Sequence, residues 1–135
     1  MRALAGGIIL AVALLGLSAC GTRAASYVFE THACSAEFEA LGAECGAVSV
    51  PENYDAPDVR SIALNVVILR ASNPNPTHDP LFELEGGPGV AVTTNVSFYA
   101  TDGAMYRRDR DLVFVDMRGT GGSNPLNCAS LELYA

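Results

Sequence analysis

Residues 110–123, Arg110-Asp-Leu-Val-Phe-Val-Asp-Met-Arg-Gly-Thr-Gly-Gly-Ser123, decide how the rest of the chain is read. Leu112-Val-Phe-Val115 is an unbroken apolar run closed by Asp116, short and rich in β-branched and aromatic side chains. That pattern predicts a strand buried on both faces. The Gly119-Thr-Gly-Gly-Ser123 that follows is turn chemistry. Upstream, Leu81-Phe-Glu-Leu-Glu85 reads as a second short strand that runs straight into Gly86-Gly-Pro-Gly89. From Ser61 to Arg70, Ile62, Leu64, Val66 and Ile68 alternate with Ala63, Asn65, Val67 and Leu69, which predicts a third strand, apolar on both sides. Cys45-Gly-Ala-Val-Ser-Val-Pro51 predicts a fourth, ended by proline. Between them, Asn53 to Asp58 and Ala71 to Pro80 are proline- and asparagine-rich loops. Residues 92–106 show no clear period, with a short helix expected near Gly103 to Arg107. A further helix is expected from about Asn127.

The whole chain is 135 residues, half of them hydrophobic and 17% charged, a composition of globular rather than disordered sequence. Eight arginines and no lysine stand against 15 acidic residues, for a net charge of −7. An acidic chain of this kind lacks the basic surface that nucleic-acid binders use, so no nucleic-acid partner is expected. Two histidines, His32 and His78, leave little material for a metal site, and both fall in polar segments read as loops. Neither Gly87-Pro-Gly-Val-Ala-Val92 nor Gly119-Thr-Gly-Gly-Ser-Asn124 carries the third glycine of a dinucleotide fingerprint, and no cofactor is expected.

At the N-terminus, Arg2 precedes an uncharged apolar stretch from Ala3 to Leu17, shorter than the roughly 20 residues of a membrane-spanning helix. A basic start, an apolar middle and small residues make an export signal. Its end, Leu17-Ser-Ala-Cys20, resembles the lipobox of bacterial lipoproteins. The resemblance implies a signal peptide over 1–19, lipidation of Cys20 and a cell-envelope protein held to the membrane through its lipid anchor. An ordinary secretory signal, giving a secreted protein, is the other reading. Residues 20–33 then form a tether before a domain over 34–135. Outside the cytoplasm cysteines pair. Cys34 and Cys45 flank a short acidic segment and are the expected disulfide, worth about 3 kcal/mol by loop-closure arithmetic. Cys128 is left either as a free buried thiol or with a partner beyond this sequence.

Taken in order, CGAVSVPENYDAPD, SIALNVVILRAS, DPLFELEGGPG and RDLVFVDMRGTGGSNPLNC resemble the opening of an α/β-hydrolase of the tripeptidyl- and prolyl-aminopeptidase type. The resemblance spans roughly residues 34–130. It implies an α/β fold in which strands near 47–50, 61–70, 81–85 and 112–116 are the first four of the hydrolase sheet, an incomplete N-terminal portion. It further implies that the strand at 81–85 lies between that at 112–116 and the following strand, so that an unpaired, apolar edge remains here, and that covering helices are missing. Two positions depart from the family pattern: Glu85 stands where His or Asn is common, and Met117 where Gln is common.

The implied activity is that of an exported serine hydrolase, a peptidase cleaving near peptide N-termini, or an esterase on the same scaffold. A complete small lipoprotein acting as a binding or scaffold module is the alternative of a different class. Acyl transfer needs donors aimed where charge develops on the carbonyl oxygen. On the resemblance, the Gly87 N–H supplies one, with Gly86 shaping the turn; otherwise EGGPG is only a tight strand-to-loop turn. The second donor follows the nucleophile, which the fold places in G-x-S-x-G with the acid and then His later in the chain. No G-x-S-x-G occurs in these residues. Gly121-Gly-Ser-Asn-Pro125 comes nearest, but Ser123 reads as a turn or helix-start residue. Asp116 is expected in an ion pair or turn bond near Arg118. Nucleophile, acid and base are therefore absent, and this chain alone is expected to be inactive. Asn95-Val-Ser97 is a formal glycosylation sequon with no expected consequence in a lipoprotein. Tyr54, Phe82, Phe98, Tyr99 and Phe114 are expected in the core or a pocket wall.

Overall fold

A computed structural model of the chain describes residues 27–127. The lipobox with Cys20, the signal segment, Cys128 and the helix expected beyond Asn127 lie outside the described residues. Five strands form one mixed open sheet: β1 (Phe29–His32), β2 (Glu44–Pro51), β3 (Ser61–Leu69), β4 (Leu81–Glu83) and β5 (Leu112–Val115), in the order β1-β2-β3-β5-β4. All neighbours are antiparallel except β4 and β5, which run parallel, Leu81 opposite Leu112 and Glu83 opposite Phe114. Parallel neighbours need a crossover. Here it carries a 3₁₀ turn (Val92–Asn95), the helix α2 (Val96–Ala100) and a second 3₁₀ turn (Ala104–Arg107). The helix α1 (Ala36–Ala40) precedes β2, and the Ser35 side chain accepts from the Phe38 N–H as its N-cap.

The alternation of β3 sorts its side chains between two clusters. Val67 and Leu69 join Cys45, Leu112, Phe114, Val92 and Val96 under the crossover and α1. Val66 and Ile68 join Val113 on the other face, with Phe29, Val48 and Val115 packed at its margin. The expectation that this chain contains no covering helices is thus corrected on one face, where α1, α2 and the first 3₁₀ turn cover the sheet.

Three further readings are corrected. Part of the expected tether is strand: residues 29–32 pair with β2, which also takes His32 out of the loop in which it was expected. With only Phe29 apolar, this edge strand carries no hydrophobic alternation, but the Phe29 ring lies where a Cβ on Gly46 would fall, so the glycine admits it. β2 starts at Glu44, one residue before the Cys45 start read from the sequence and three before the 47–50 strand of the resemblance, and β4 stops at Glu83. Phe82, Phe98 and Tyr54 are exposed rather than in the core, at 59%, 50% and 61% of full exposure. The Tyr54 ring lies under the Arg118 guanidinium, 4.9 Å from its centroid, while Arg118 donates to the Glu52 carbonyl at 2.7 Å.

A disulfide joins Cys34 and Cys45, with Cα atoms 5.2 Å apart, and ties the start of α1 to β2. At the same end of the sheet, just past the last residue of β3, an ion cluster forms. Arg70 donates to Asp111 at 2.7 Å and to Glu44, and the other Asp111 oxygen takes the Ala71 N–H at 2.8 Å. Burial pushes the Asp111 carboxyl up, but the Ala71 amide and Arg70 more than offset it and hold it below the usual range. A lowered folded value stabilises the fold above the unfolded value, about 3.9, and that contribution disappears as pH falls through the folded one. Asp111→Asn is therefore expected to lower the urea midpoint at pH 7 and pH 5, with the gap to wild type closing below about pH 4. A gap independent of pH would contradict this account of Asp111.

Candidate active site

The carboxyl ends of the parallel strands β4 and β5 point the same way, and in open α/β sheets ligands bind beyond such ends. Two adjoining cavities open there. One, of about 270 Å³, is bounded by Glu83, Glu85, Val90, Val92 and Met117. The other, shallower and about 520 Å³, lies over Leu64, Leu84, Val115 and Met117.

The glycine turn, Gly86–Gly89, joins two wall residues of the smaller cavity, Glu85 before it and Val90 after it. Gly87 has φ +64° and Gly89 φ +89°, left-handed values open to glycine at no steric cost. The Glu85 carboxylate organises the turn: one oxygen accepts from the Gly86 N–H at 3.0 Å, the other from Asn95 Nδ2 at 2.7 Å. The Gly86 amide is thereby occupied. The next amide, Gly87, is exposed and makes no hydrogen bond among the described residues, while its carbonyl accepts from the Val90 N–H at 3.4 Å. The peptide bond into Pro88 is trans, as are all the described peptide bonds. Glu83, one wall residue over, accepts from the Tyr99 hydroxyl at 2.9 Å, a bond to a carboxylate that raises the Tyr99 phenol, with burial adding to the effect.

Asp116 is fully buried; of the two expectations for it, the ion pair with Arg118 does not form, and the turn bond does, across the 117–122 turn to the Gly122 N–H. Its Oδ1 accepts from the Thr93 N–H at 3.1 Å and the Thr93 hydroxyl at 3.0 Å. Its Oδ2 accepts from Asn65 Nδ2 at 2.9 Å and the Gly122 N–H at 3.0 Å. No arginine takes part, because the four donors already fill both oxygens. Ser123, also fully buried, accepts the Asn65 N–H and donates to the Asp116 carbonyl, each at 2.8 Å. These contacts give both residues a structural use: they lock the 119–123 loop to β3 and to the crossover. Glycine is needed at 121 because a Cβ there would fall on Asp116 Oδ2 and 2.7 Å from the Ala91 Cβ.

His32 on β1 and His78 in the loop before β4 lie at the margins of the sheet. His32 bonds only the Ala33 carbonyl, and His78 Nδ1 meets Thr77 Oγ1. Neither contacts Ser123 or Asp116. Among the described residues, no group of three or more His, Cys, Asp or Glu side chains is arranged to hold a metal ion. No helix there is long and apolar enough to cross a membrane. Compared with protein-family models and with curated proteins, the chain finds no match.

Proposed function

We propose that this chain supplies the first strands and one half of the oxyanion hole of an exported, lipid-anchored serine hydrolase, a peptidase acting near peptide N-termini. The observation that carries the reading is the Gly87 amide: exposed, unused by the fold, and in the turn between Glu85 and Val90, two wall residues of a cavity beyond the carboxyl ends of two parallel strands. A carbonyl oxygen gaining charge beside that turn would accept this N–H at no cost in broken protein bonds. The strand order supports the same reading. β4 lies beside β5, and its outer edge pairs with no strand among the described residues, the position the resemblance reserves for the nucleophile strand. The nucleophile, acid and base are assigned to sequence other than residues 27–127, since Ser123 and Asp116 are engaged structurally.

The test uses the product of the complete reading frame, assayed on N-terminally free peptide anilides and on short-chain esters. Peptide turnover is expected to exceed ester turnover; the reverse order would make it an esterase. Gly87→Ala adds a side chain with open space around it but in a left-handed conformation, so the fold should hold while the turn relaxes and the amide turns away. The expected result is a loss in kcat of about a hundredfold with KM little changed. Unchanged kcat, or no hydrolysis of either substrate class by the wild type, would leave a binding or scaffold module instead.

A further inference from the structure

At the amino ends of β4 and β5, opposite the candidate active site, lies a separate cavity of about 330 Å³. Its wall contains His78, Arg108 and Arg110, together with Leu81, Met105 and Tyr106. The cationic groups are concentrated: of the six arginines in residues 27–127, three fall within Arg107–Arg110, in a chain whose net charge is −7.

Two of the three nearest carboxylates are already engaged, and the third, Asp79 beside His78, is exposed and makes no hydrogen bond among the described residues. Asp109, which also lines the cavity, takes Asn73 Nδ2 at 3.1 Å and Arg108 Nε at 3.0 Å. Asp111 takes Arg70 and the Ala71 amide. Arg110, flanked by these two and itself partly buried, makes no hydrogen bond or ion pair among the described residues. A guanidinium drawn partly out of water, its five donors without a protein acceptor, favours an external oxyanion that the planar fork can grip. Arg108, 80% exposed, uses only its Nε on Asp109 and keeps its terminal nitrogens for the same ligand. The apolar side of the cavity is unusual for a site meant for a bare ion: Met105 and Tyr106 are 76% and 53% exposed beside the basic groups.

We propose that this cavity binds a phosphate ester carrying an apolar group, with Arg110 and Arg108 holding the phosphate and Met105, Tyr106 and Leu81 the apolar part. The ligand could be a phospholipid headgroup region or a free phosphate ester, and both offer the same oxyanion. The site is independent of the hydrolase reading, since it lies at the other end of the strands.

Isothermal titration of the full chain separates the sources. The probes are inorganic phosphate, dihexanoyl phosphatidylglycerol and, as the zwitterionic control, dihexanoyl phosphatidylcholine. With phenyl phosphate as a further probe, tighter binding of phosphatidylglycerol than of phenyl phosphate would identify a lipid headgroup and the reverse order a free phosphate ester, the preferred one about tenfold tighter than inorganic phosphate. Inorganic phosphate binding as tightly as both would overturn the proposal, because the apolar wall would contribute nothing. Arg110→Gln and Arg108→Gln each replace a side chain at the cavity and are expected to weaken phosphatidylglycerol binding about tenfold. No saturation by any anionic probe would overturn the proposal. So would affinity for phosphatidylcholine equal to that for phosphatidylglycerol, or affinity unmoved in both variants.

Discussion

Asp116→Ala is expected to remove most of the folding free energy of the described domain. The substitution takes away one buried carboxylate and orphans four donors at once: the Thr93 amide and hydroxyl, Asn65 Nδ2 and the Gly122 amide. A buried donor left without an acceptor costs about 1–3 kcal/mol, and breaking a buried charged network costs about 3–5 kcal/mol in all. Against a typical total of about 5–15 kcal/mol, that moves a small domain to the edge of unfolding at room temperature. Asp116→Asn should also destabilise, because its NH₂ group faces donors. Asn65→Ala should cost less than either, since the carboxylate keeps three of its four donors. Urea midpoints followed by far-ultraviolet circular dichroism check the order Asp116→Ala, Asp116→Asn, Asn65→Ala. A loss below about 1 kcal/mol for the first would mean the network is not closed as described.

Phe114→Ala is the second large effect. The Phe114 ring is fully buried, opposite Val67 on β3 and 5.5 Å from the Tyr99 ring on α2. Tyr99 in turn meets Phe98 and Tyr106 edge to face, at 5.2 and 5.7 Å. Phe114 is therefore the link between the sheet and the crossover that carries Val90 and Val92 of the candidate site. Truncation to alanine is expected to cost about 3–5 kcal/mol, and Phe114→Leu about 1 kcal/mol if the neighbours close around it. Thermal unfolding of the two variants measures this. Because Tyr99 bonds Glu83 through its hydroxyl, the alanine variant should also free the tyrosine, visible as a phenol titration returning toward the ordinary range. A loss of stability without that change would mean the ring packs on the sheet alone.

The strands were legible because burial leaves its mark in short apolar runs. Ile62 to Leu69 and Leu112 to Val115 lie on the sheet because short runs rich in β-branched and aromatic residues, apolar on both sides, are buried as strands. β1 was not legible: an edge strand with Phe29 followed by Glu30, Thr31 and His32 has a solvent-facing composition, and its pairing depends on β2 being there to receive it. Nor was α1, whose five residues are too few to display a helical period, although Ser35 three residues before Phe38 is a usable capping signal. For the glycine turn, sequence indicated a tight turn and its amides, but not that Glu85 would occupy one amide and leave the next.

Asp116 marks the boundary most clearly. Its position at the end of an apolar strand could be read directly, yet its partners stand 51 residues away at Asn65, 23 away at Thr93 and six away at Gly122. Local sequence offered an ion pair with Arg118, two residues on, which does not form, or a turn bond, which does at Gly122. Periodicity and turn chemistry act over a few residues, so they locate strands and bends within the chain itself. Which donors converge on a buried carboxylate, and which amide is left facing a cavity, depends on the order in which strands pack side by side. Only the assembled sheet decides that.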